Sequence, residues 1–306
     1  MNKIYDSLII GSGPCGIGAA LEMQKLGLDA LMITGYNHGG KVNIAPRVDN
    51  YPGFTKVPGP QLAKALFQRI IDNNFPYVDA KAESLKEENK VFEVATDNGS
   101  YFAKTLVIAT GTAERKLGLE KEDKLLGRGI SYCAVCDGHF FKGKKVLVIG
   151  GGNSALKEAI YLSDLCEHVT LIHRRNEFRG NEKIVSELKE KTNVEILTPF
   201  IPLNIIGDEY VQGATIQNKE TNEIIKLDVD GIFPLVGQIP NTQFINLDNI
   251  KNEHGNIPVN NKMESEYSNV YAGGDVLPRD IRQIYLSEYD GKRIARSISE
   301  KLNGNS

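Results

Sequence analysis

Two stretches of the chain show the same order of apolar and polar positions. The first runs from "YDSLII" through the glycine-rich turn of residues 11–16 into "IGAALEMQKLG", and the second is "KKVLVIGGGNSALKEAIYLSDL". A short apolar run bounded by glycine predicts a buried strand, and the helical spacing of apolar residues after it predicts a helix. Each stretch ends in a second apolar run, "DALMIT" or "HVTLIH". The pattern therefore predicts two units of strand, glycine turn, helix and strand, which is typical of the α/β class.

The glycine turns are of the kind that binds dinucleotides. The first contains Gly11, Gly13 and Gly16, and the second, "GGGNSA", begins at Gly150 and ends at Ala155. The first glycine permits the tight turn, the second lets the backbone approach a pyrophosphate, and the last small residue lets helix and strand pack closely. The phosphates then meet the N-terminus of the helix. One such sequence is also typical of a plain turn, whereas two copies in the same context indicate two dinucleotide sites.

The end of the second strand in each unit bears on which dinucleotide binds. The second unit has His173, Arg174 and Arg175 there, with Arg179 following. An acidic residue would bind the ribose of NAD, whereas arginines suit a 2′-phosphate because a guanidinium can make two hydrogen bonds with it. A solvated basic loop is the alternative. In the first unit the corresponding residue is Thr34, so the acidic residue expected for a ribose is missing there.

Two further apolar runs, "TLVIATG" and "VYAGGDV", end in small residues. Asp275 comes directly after the second run and its two glycines, where a carboxylate is well placed to accept hydrogen bonds from a polyol. Taken alone, an aspartate at this position is equally typical of an ordinary turn.

Composition narrows the class of protein. A chain of 306 residues that is 41% hydrophobic exceeds the usual size of a single core, so two domains are expected. The net charge is −3 and the basic residues are scattered, which argues against a nucleic-acid partner. The sequence has no leader pattern and no apolar run long enough to span a bilayer, so we predict a cytoplasmic protein without a membrane partner.

The fragment "ISYCAVCDGHF" places Cys133 and Cys136 close together in a chain with four cysteines. Cytoplasmic thiols are kept reduced, so such a pair is more often catalytic or metal-binding than structural. It can close a disulfide or open to two thiols, one of which attacks as a thiolate. A zinc site is the rival, and it would require His139 and Cys166 as further ligands. Cys15 lies in the first glycine turn, where a packing role is expected.

In this order the motifs resemble those of the low-molecular-weight thioredoxin reductases, nearly from end to end. The resemblance covers "GSGPCGIGAA", "VDNYPGF", "VIATG", "GRGISYCAVCDGHFFKGKKVLVIGGGNSALKEAIYL", "VTLIHRRNEFR", "VGQIPNT" and "AGGDV", with "RQ" after it. It implies an α/β fold with two Rossmann-like dinucleotide-binding domains, the second inserted in the first. The FAD-binding domain would comprise residues 1–113 and 243–306, and the NADPH-binding domain, carrying the Cys-x-x-Cys pair, residues 114–242.

The resemblance also implies the residues that hold each cofactor. Those implied for FAD are Gly11, Ser12, Gly13, Pro14, Thr34, Gly35, Gly40, Lys41, Asn50, Thr110, Gly111, Gly274, Asp275, Arg282, Gln283 and Ile284. Those implied for NADPH are Gly150, Gly152, Asn153, Ser154, His173, Arg174, Arg175 and Arg179. The family often has Thr-Gly where this chain has Thr34 and Gly35, which accounts for the missing acidic residue.

The activity that the resemblance implies is electron transfer from NADPH through FAD to the disulfide of Cys133 and Cys136, and then to the disulfide of thioredoxin or a thioredoxin-like protein. Asp137 would be the general acid and base. The family alternates the flavin's two partners by rotating one domain, and it forms homodimers. Which cysteine faces the flavin and which attacks the partner stays open.

Two departures from the family pattern lie near the expected flavin. Lys41 stands where the family usually has glutamine, and its charge would either sit beside the flavin or reach solvent. Leu286, Glu288 and Tyr289 stand where the family has small residues, so we expect a narrower pocket or an altered exchange of partners there. The departures leave open another acceptor or another donor, ferredoxin or NADH. A nucleotide-binding redox sensor is the alternative of another class.

Overall fold

The computed structural model describes residues 3–45, 48, 50–279 and 281–304. Its strands are β1 (Ile4–Ile10), β2 (Ala30–Ile33), β3 (Tyr77–Val78), β4 (Ala82–Glu88), β5 (Val91–Thr96), β6 (Gly99–Ile108), β7 (Thr112–Glu114), β8 (Lys145–Ile149), β9 (His168–Ile172), β10 (Val194–Leu197), β11 (Phe200–Ile206), β12 (Gly213–Asn218), β13 (Ile224–Leu227), β14 (Gly231–Pro234), β15 (Gln238–Pro240) and β16 (Val270–Ala272). Its α-helices are α1 (Pro14–Lys25), α2 (Gly59–Asp72), α3 (Ala134–Asp137), α4 (Asn153–Ser163), α5 (Glu182–Lys189) and α6 (Ile284–Leu302). Short 3₁₀ helices span Gly40–Ile44, Gly138–Phe141 and Gly274–Val276.

The chain folds into two compact units, and the second is inserted into the first. Unit 1 comprises Met1–Ala113 and Ile239–Ser306, and unit 2 comprises Glu114–Gln238. Residues 239–242, which the sequence analysis assigned to the inserted domain, thus belong to unit 1. The chain passes between the units along β7 and β15, which pair with each other. No helix in the described part of the chain is long and apolar enough to cross a membrane.

Unit 1 is built on a mixed sheet of strand order β3-β2-β1-β6-β5-β4, with β16 also paired to β6. The strands β1, β2, β3 and β16 run parallel to their partners, and β4, β5 and β6 form an antiparallel meander. The central strand β1 is followed by the glycine turn and α1, as the pattern of apolar residues predicts. Its last four residues are buried, which is typical of a parallel sheet covered on both faces.

Helices α1 and α6 of unit 1 approach each other very closely. A Cβ atom at Gly18 would lie 2.2 Å from the carbonyl oxygen of Glu288, and one at Gly291 would lie 2.0 Å from that of Cys15. Only glycine permits such contact between backbones. Cys15 is buried at this contact, and burial raises the pKa of its thiol. The packing role expected for Cys15 therefore fits its position.

Unit 2 contains a parallel sheet of order β10-β9-β8-β14 and a separate antiparallel sheet, β11-β12-β13. Successive residues of β8 face opposite sides of the parallel sheet. Val146 and Val148 pack with Ala155 and other residues of α4, whereas Leu147 and Ile149 pack with the antiparallel sheet. The predicted α/β class, with two Rossmann-like units and one inserted in the other, is confirmed.

Candidate active site

A cleft of about 920 Å³ lies in unit 1 where β1, β2, β6 and β16 end. The carboxyl ends of parallel strands are the usual place for a ligand in such a sheet. The cleft is lined by all of the residues implied for FAD except Asn50: Gly11, Ser12, Gly13, Pro14, Thr34, Gly35, Gly40, Lys41, Thr110, Gly111, Gly274, Asp275, Arg282, Gln283 and Ile284. Asn50 is tied to the lining, since its Nδ2 donates to Gln283 Oε1 at 2.7 Å.

The glycines of the first turn have distinct tasks. Gly11 has φ +111°, and a Cβ atom there would lie 2.4 Å from the carbonyl oxygen of Ala109. A Cβ atom at Gly16 would lie 1.9 Å from the carbonyl oxygen of Gly11. At Gly13, by contrast, a Cβ atom would meet no protein atom within 4 Å. Gly11 and Gly16 are therefore required by the protein itself, whereas the missing side chain at Gly13 leaves open space in the cleft.

An acidic residue approaches Thr34 from elsewhere in the sequence. Ser12 Oγ donates to the carbonyl oxygen of Thr34 at 2.9 Å, which joins the glycine turn to the end of β2. Thr34 Oγ1 donates to Asp79 Oδ1 at 2.7 Å, and the same oxygen lies 2.6 Å from His38 Nε2. The hydrogen bonds from His38 and Thr34 lower the pKa of Asp79. The sequence alone did not reveal this carboxylate, because it lies far from Thr34 along the chain.

Lys41 points into the cleft. It lies in the 3₁₀ helix Gly40–Ile44, and its Nζ lies 3.4 Å from Oγ1 of the buried residue Thr112. The sequence left open whether this charge lies beside the expected flavin or reaches solvent. In the structure Lys41 is part of the cleft lining. A cation here faces whatever ligand the cleft holds.

The bulky residues of α6 do not narrow the cleft, contrary to the expectation from the sequence. Ile284 and Ser287, one helical turn apart, line it, whereas Leu286, Glu288 and Tyr289 do not. Residues three apart share one face of a helix, and the intervening residues project elsewhere. Tyr289 is exposed and Glu288 is buried. The departure from the family pattern is therefore accommodated on the other faces of α6.

Glu288 is instead the centre of a buried ionic network. Its carboxylate accepts a short hydrogen bond from Tyr51 Oη, and it lies 3.2 Å from Arg69 Nη2 and 3.0 Å from Lys292 Nζ. Burial raises the pKa of Glu288, but the hydrogen bonds from Tyr51, Arg69 and Lys292 together outweigh burial and lower the pKa to about 2. The network joins α6 to α2 and to the segment that carries Asn50.

Replacing Glu288 by alanine is expected to destabilise unit 1. The change leaves the half-buried Tyr51 and two cations without their carboxylate. Because both cations are partly exposed, we expect a loss of about 2 kcal/mol in the free energy of unfolding. Urea denaturation followed by circular dichroism measures it. Glu300→Ala, at an exposed position of the same helix, is the control and should leave the midpoint unchanged.

Comparison of wild type with Glu288→Gln tests the pKa of Glu288. Because its pKa is about 2 in the folded state and near 4.5 in the unfolded state, its stabilising contribution is complete above about pH 4.5 and disappears as the pH falls toward 2. The difference in stability between wild type and Glu288→Gln should shrink over that range. A difference that stayed constant down to pH 2 would contradict the network.

In unit 2, Cys133 and Cys136 form a disulfide with their Cα atoms 5.2 Å apart. Cys133 precedes the first residue of α3, and its Sγ accepts a hydrogen bond from the backbone N–H of Cys136 at 3.2 Å. Both cysteines are half-buried. The other two cysteines, Cys15 and Cys166, are free buried thiols.

Asp137 and Ser131 flank the disulfide. Ser131 Oγ donates to Asp137 Oδ2 at 2.5 Å, and the backbone N–H of Cys133 donates to Ser131 Oγ at 3.1 Å. The backbone N–H of Asp137 donates to the carbonyl oxygen of Cys133 at 3.0 Å. The predicted general acid and base is thus connected to a cysteine through one hydroxyl. Ser131 was not predicted as a site residue, although it stands two residues before the first cysteine in the sequence.

Tyr132, the residue before Cys133, is anchored through its side chain. Its hydroxyl donates to Glu122 Oε1 at 2.6 Å, and the carboxylate of Glu122 also accepts from the backbone N–H groups of Leu117 and Gly118, both at 2.8 Å. Glu122 is 2% exposed. Burial and this carboxylate raise the pKa of Tyr132. The pair of Tyr132 and Glu122 was not predicted from the sequence, because a glutamate in a charged segment normally indicates a solvated turn.

Exposed apolar side chains lie close to the disulfide in the chain, and the residues of the rival zinc site form no cluster of ligands. Val135 and Phe140 are 63% and 64% exposed, and the ring of His139 lies against that of Phe140 with centroids 4.0 Å apart. Among the residues that the structure describes, no cluster of three or more His, Cys, Asp or Glu side chains could hold a metal ion. The sulfur atoms of the pair are bonded to each other.

The second glycine turn repeats the geometry of the first. Gly150 has φ +157°, and a Cβ atom there would lie 2.4 Å from the carbonyl oxygen of Leu235. Gly152, which precedes α4, has open space where a Cβ atom would lie. Asn153 and Ser154 begin α4 and are exposed, and Asn153 Oδ1 accepts from the backbone N–H of Asn181 at 2.8 Å.

The basic residues after β9 divide into two groups. Arg174, Arg175 and Arg179 are exposed, and the backbone N–H of Arg179 donates to the carbonyl oxygen of Gly151 at 2.9 Å, which holds the arginine loop against the glycine turn. His173 is buried, and a Cβ atom at Gly151 would lie 2.3 Å from its ring. Burial first, and then Arg179, lower the pKa of His173. The arginines can meet a phosphate, whereas His173 packs beneath the turn.

Comparison with known proteins agrees with this geometry. The chain is 36% identical to a thioredoxin reductase of Mycoplasma pneumoniae over 98% of its own length and 96% of that protein. Among solved structures, a thioredoxin reductase from Streptococcus pyogenes MGAS5005 is 33% identical, with a TM-score of 0.81 and coverage of 99% of this chain and 100% of that one. A ferredoxin-flavin thioredoxin reductase from Clostridium acetobutylicum is 29% identical, with a TM-score of 0.55 and coverage of 99% and 100%.

A family match covers almost all of both units. Residues 5–291 match the family described as pyridine nucleotide-disulphide oxidoreductase. The match includes both glycine turns and the disulfide of Cys133 and Cys136. The chain therefore belongs to the pyridine nucleotide-disulphide oxidoreductase family.

Proposed function

We propose that this chain is an NADPH-dependent flavoenzyme that reduces the disulfide of thioredoxin or a thioredoxin-like protein. FAD would occupy the cleft of unit 1, and NADPH would bind at the glycine turn of unit 2. The observation that carries the proposal is the half-buried disulfide of Cys133 and Cys136 in a chain similar to thioredoxin reductases over nearly its whole length. The carboxylate of Asp137 is linked to the backbone N–H of Cys133 through the Ser131 hydroxyl.

The open space at Gly13 and Gly152 supports binding of the two dinucleotides. Each glycine precedes a helix and has no protein atom within 4 Å of a Cβ position, so a pyrophosphate can approach the backbone there. The residues of the two turns would bind and orient the phosphates, and Asp275 would accept hydrogen bonds from a polyol. FAD, when bound, supplies two-electron exchange between a nicotinamide and a disulfide.

The cysteine pair completes the proposed reaction. Two electrons and two protons open the disulfide of Cys133 and Cys136 to two thiols. One of them, as a thiolate, attacks a sulfur of the partner's disulfide and forms a mixed disulfide. The other cysteine then attacks the sulfur of the first, which closes the original disulfide and releases the partner as a dithiol. Asp137 holds or releases a proton beside the pair, and Ser131 orients its carboxylate.

A protein partner fits the surroundings of the pair better than a small thiol does. Val135 and Phe140 expose apolar surface within a few residues of the cysteines, and exposed aromatic residues are common at protein interfaces. The test is steady-state oxidation of NADPH with oxidised thioredoxin from the same source, with the new thiols counted. Turnover with free glutathione disulfide but not with thioredoxin would refute the proposed acceptor.

The proposed donor rests on the arginine loop. Replacing Arg174 and Arg175 together by alanine is expected to raise the KM for NADPH about tenfold or more and to leave that for NADH nearly unchanged, because only NADPH carries a 2′-phosphate for the guanidinium groups. Anaerobic stopped-flow measurement of flavin bleaching by each nicotinamide gives the preference directly.

Lys189→Ala with Lys226→Ala removes the same charge from exposed positions elsewhere in unit 2 and is the matched control. If neither NADPH nor NADH bleached the flavin, the proposed donor would be wrong. That result would favour ferredoxin, which is named for the similar Clostridium acetobutylicum protein. A homodimer and a cytoplasmic location stay predictions from the sequence.

A further inference from the structure

Glu158 reaches from α4 to the peptide that joins Cys133 to the next residue. Its Oε2 accepts a hydrogen bond from the backbone N–H of Ala134 at 2.6 Å. Ala134 is fully buried and is the first residue of α3. A Cβ atom at Gly138 would lie 3.1 Å from both Tyr161 and Leu162, so the segment that follows α3 packs directly on α4. The carboxylate is therefore fixed beside the disulfide by the packing of these elements.

Glu158 has no cation to neutralise it within the part of the chain that the structure describes. The one charged side chain that acts on it appreciably is Glu114 of β7, which repels it. Glu114 bonds to Gln238, and Asp137 of α3 bonds to Ser131. Lys157, the preceding residue of α4, is exposed. Beneath α4, strands β8 and β9 contribute apolar side chains, as does α5. A partly buried carboxylate without a cation is unfavourable, so a task for it is expected.

We propose that Glu158 is a positioning residue for the pair of Cys133 and Cys136. Its carboxylate fixes the peptide after Cys133, and its negative charge disfavours a thiolate at the pair. The inference rests on the proposed function, in which this pair carries the electrons. A like charge close to a thiol raises the free energy of the thiolate, and at partly buried positions salt screens the repulsion less than at the surface. The disulfide is therefore favoured over the reduced pair, which makes the reduced pair a stronger reductant toward a partner.

The protonation of Glu158 agrees with this task. Burial raises the pKa of Glu158 to about 7, with the hydrogen bond from Ala134 acting against burial and Glu114 acting with it. The carboxyl group thus changes charge near neutral pH. When two electrons open the disulfide to a thiol and a thiolate, one proton goes to the thiol and Glu158 can take the second, so charge does not accumulate beside the sulfur atoms.

The test compares Glu158→Gln with wild type by equilibrating each with glutathione redox buffers at pH 8 and counting the thiols of the peptide that contains both cysteines by mass spectrometry. Glutamine keeps an oxygen that can accept from Ala134 but carries no charge. We expect the equilibrium to shift about tenfold toward the dithiol, a rise of about 30 mV in the reduction potential. Alkylation of the reduced pair should also begin at a lower pH.

Two controls separate charge from structure. Glu187→Gln, at an exposed position of α5, changes the net charge equally and should leave the potential unchanged. Glu158→Ala removes both the charge and the acceptor; should it fail to fold, Glu158→Gln still decides. An equilibrium for Glu158→Gln within threefold of wild type, or an equal shift in Glu187→Gln, would overturn the inference. The measurement uses neither NADPH nor thioredoxin, so failure of the proposed function would show separately. In that case the wild type would not turn over with NADPH and thioredoxin, while Glu158→Gln would still show the predicted rise in reduction potential.

Discussion

Replacing Cys133 and Cys136 together by serine is expected to lower turnover with thioredoxin by at least about 10³-fold, while bleaching of the flavin by NADPH continues at close to the wild-type rate. Loss of an obligatory nucleophile typically costs several orders of magnitude, and serine can neither form the disulfide nor attack one. Each single variant should be as inactive as the double one, because both sulfur atoms are needed to take up and release the electron pair. Steady-state turnover and anaerobic stopped-flow absorbance measure the two steps separately.

Cys166→Ala is the matched control for the cysteine variants. Cys166 is a buried thiol of unit 2, and burial raises its pKa to about 11, so it is poorly suited to react. Its replacement should leave turnover unchanged. Reduction of thioredoxin by the double serine variant at more than a few per cent of the wild-type rate would show that electrons bypass the pair.

The second large effect is expected at Gly13. Gly13→Val places a branched side chain in the open part of the cleft, where its Cβ atom meets no protein atom within 4 Å. The fold should survive, because the φ of Gly13 is −73° and suits any residue. Binding of FAD should weaken about ten- to a hundredfold, since filling the space that the pyrophosphate needs costs about 1–3 kcal/mol. The ratio of flavin to protein after gel filtration, with circular dichroism as the check of folding, gives the result.

Gly152→Val is the reciprocal control. It fills the corresponding space in unit 2, so it should keep a full complement of flavin and instead raise the KM for NADPH. Gly13→Val with normal flavin content would contradict the assignment of FAD to the cleft. Loss of flavin from Gly152→Val would contradict the assignment of the two dinucleotides to separate units.

The repeated part of the fold could be predicted because its signals are local. The strand β1, its glycine turn and α1 follow one another directly, as do β8, the second turn and α4, and the apolar spacing changes where each element begins. The antiparallel sheet β11-β12-β13 and the meander of β4, β5 and β6 were not predicted. Their strands follow one another directly in the chain, but many of their residues are exposed or half-exposed, so the patterns of apolar residues are weaker.

The site was predicted to the extent that it consists of backbone turns and adjacent cysteines. Ser131, Glu122 and Glu158 contribute through side-chain hydrogen bonds that the sequence does not reveal. The bond of Glu158 forms only because α4 lies beside the start of α3. The face that α6 turns to the cleft was predicted only in part, because Ile284 was expected there and Ser287 was not. Its residues Ile284 and Ser287 lie among bulky neighbours, and the sequence does not show which side of the helix is covered.

The central claim is that electrons from NADPH reach the disulfide of Cys133 and Cys136. Anaerobic titration of the flavin-loaded protein with NADPH, with thiols counted at each addition, tests it most directly. We predict that the wild type takes up two equivalents, one for the flavin and one that yields two new thiols, whereas the variant with serine at both positions takes up one and yields none. A wild-type protein that consumed a single equivalent and gained no thiols would contradict the account.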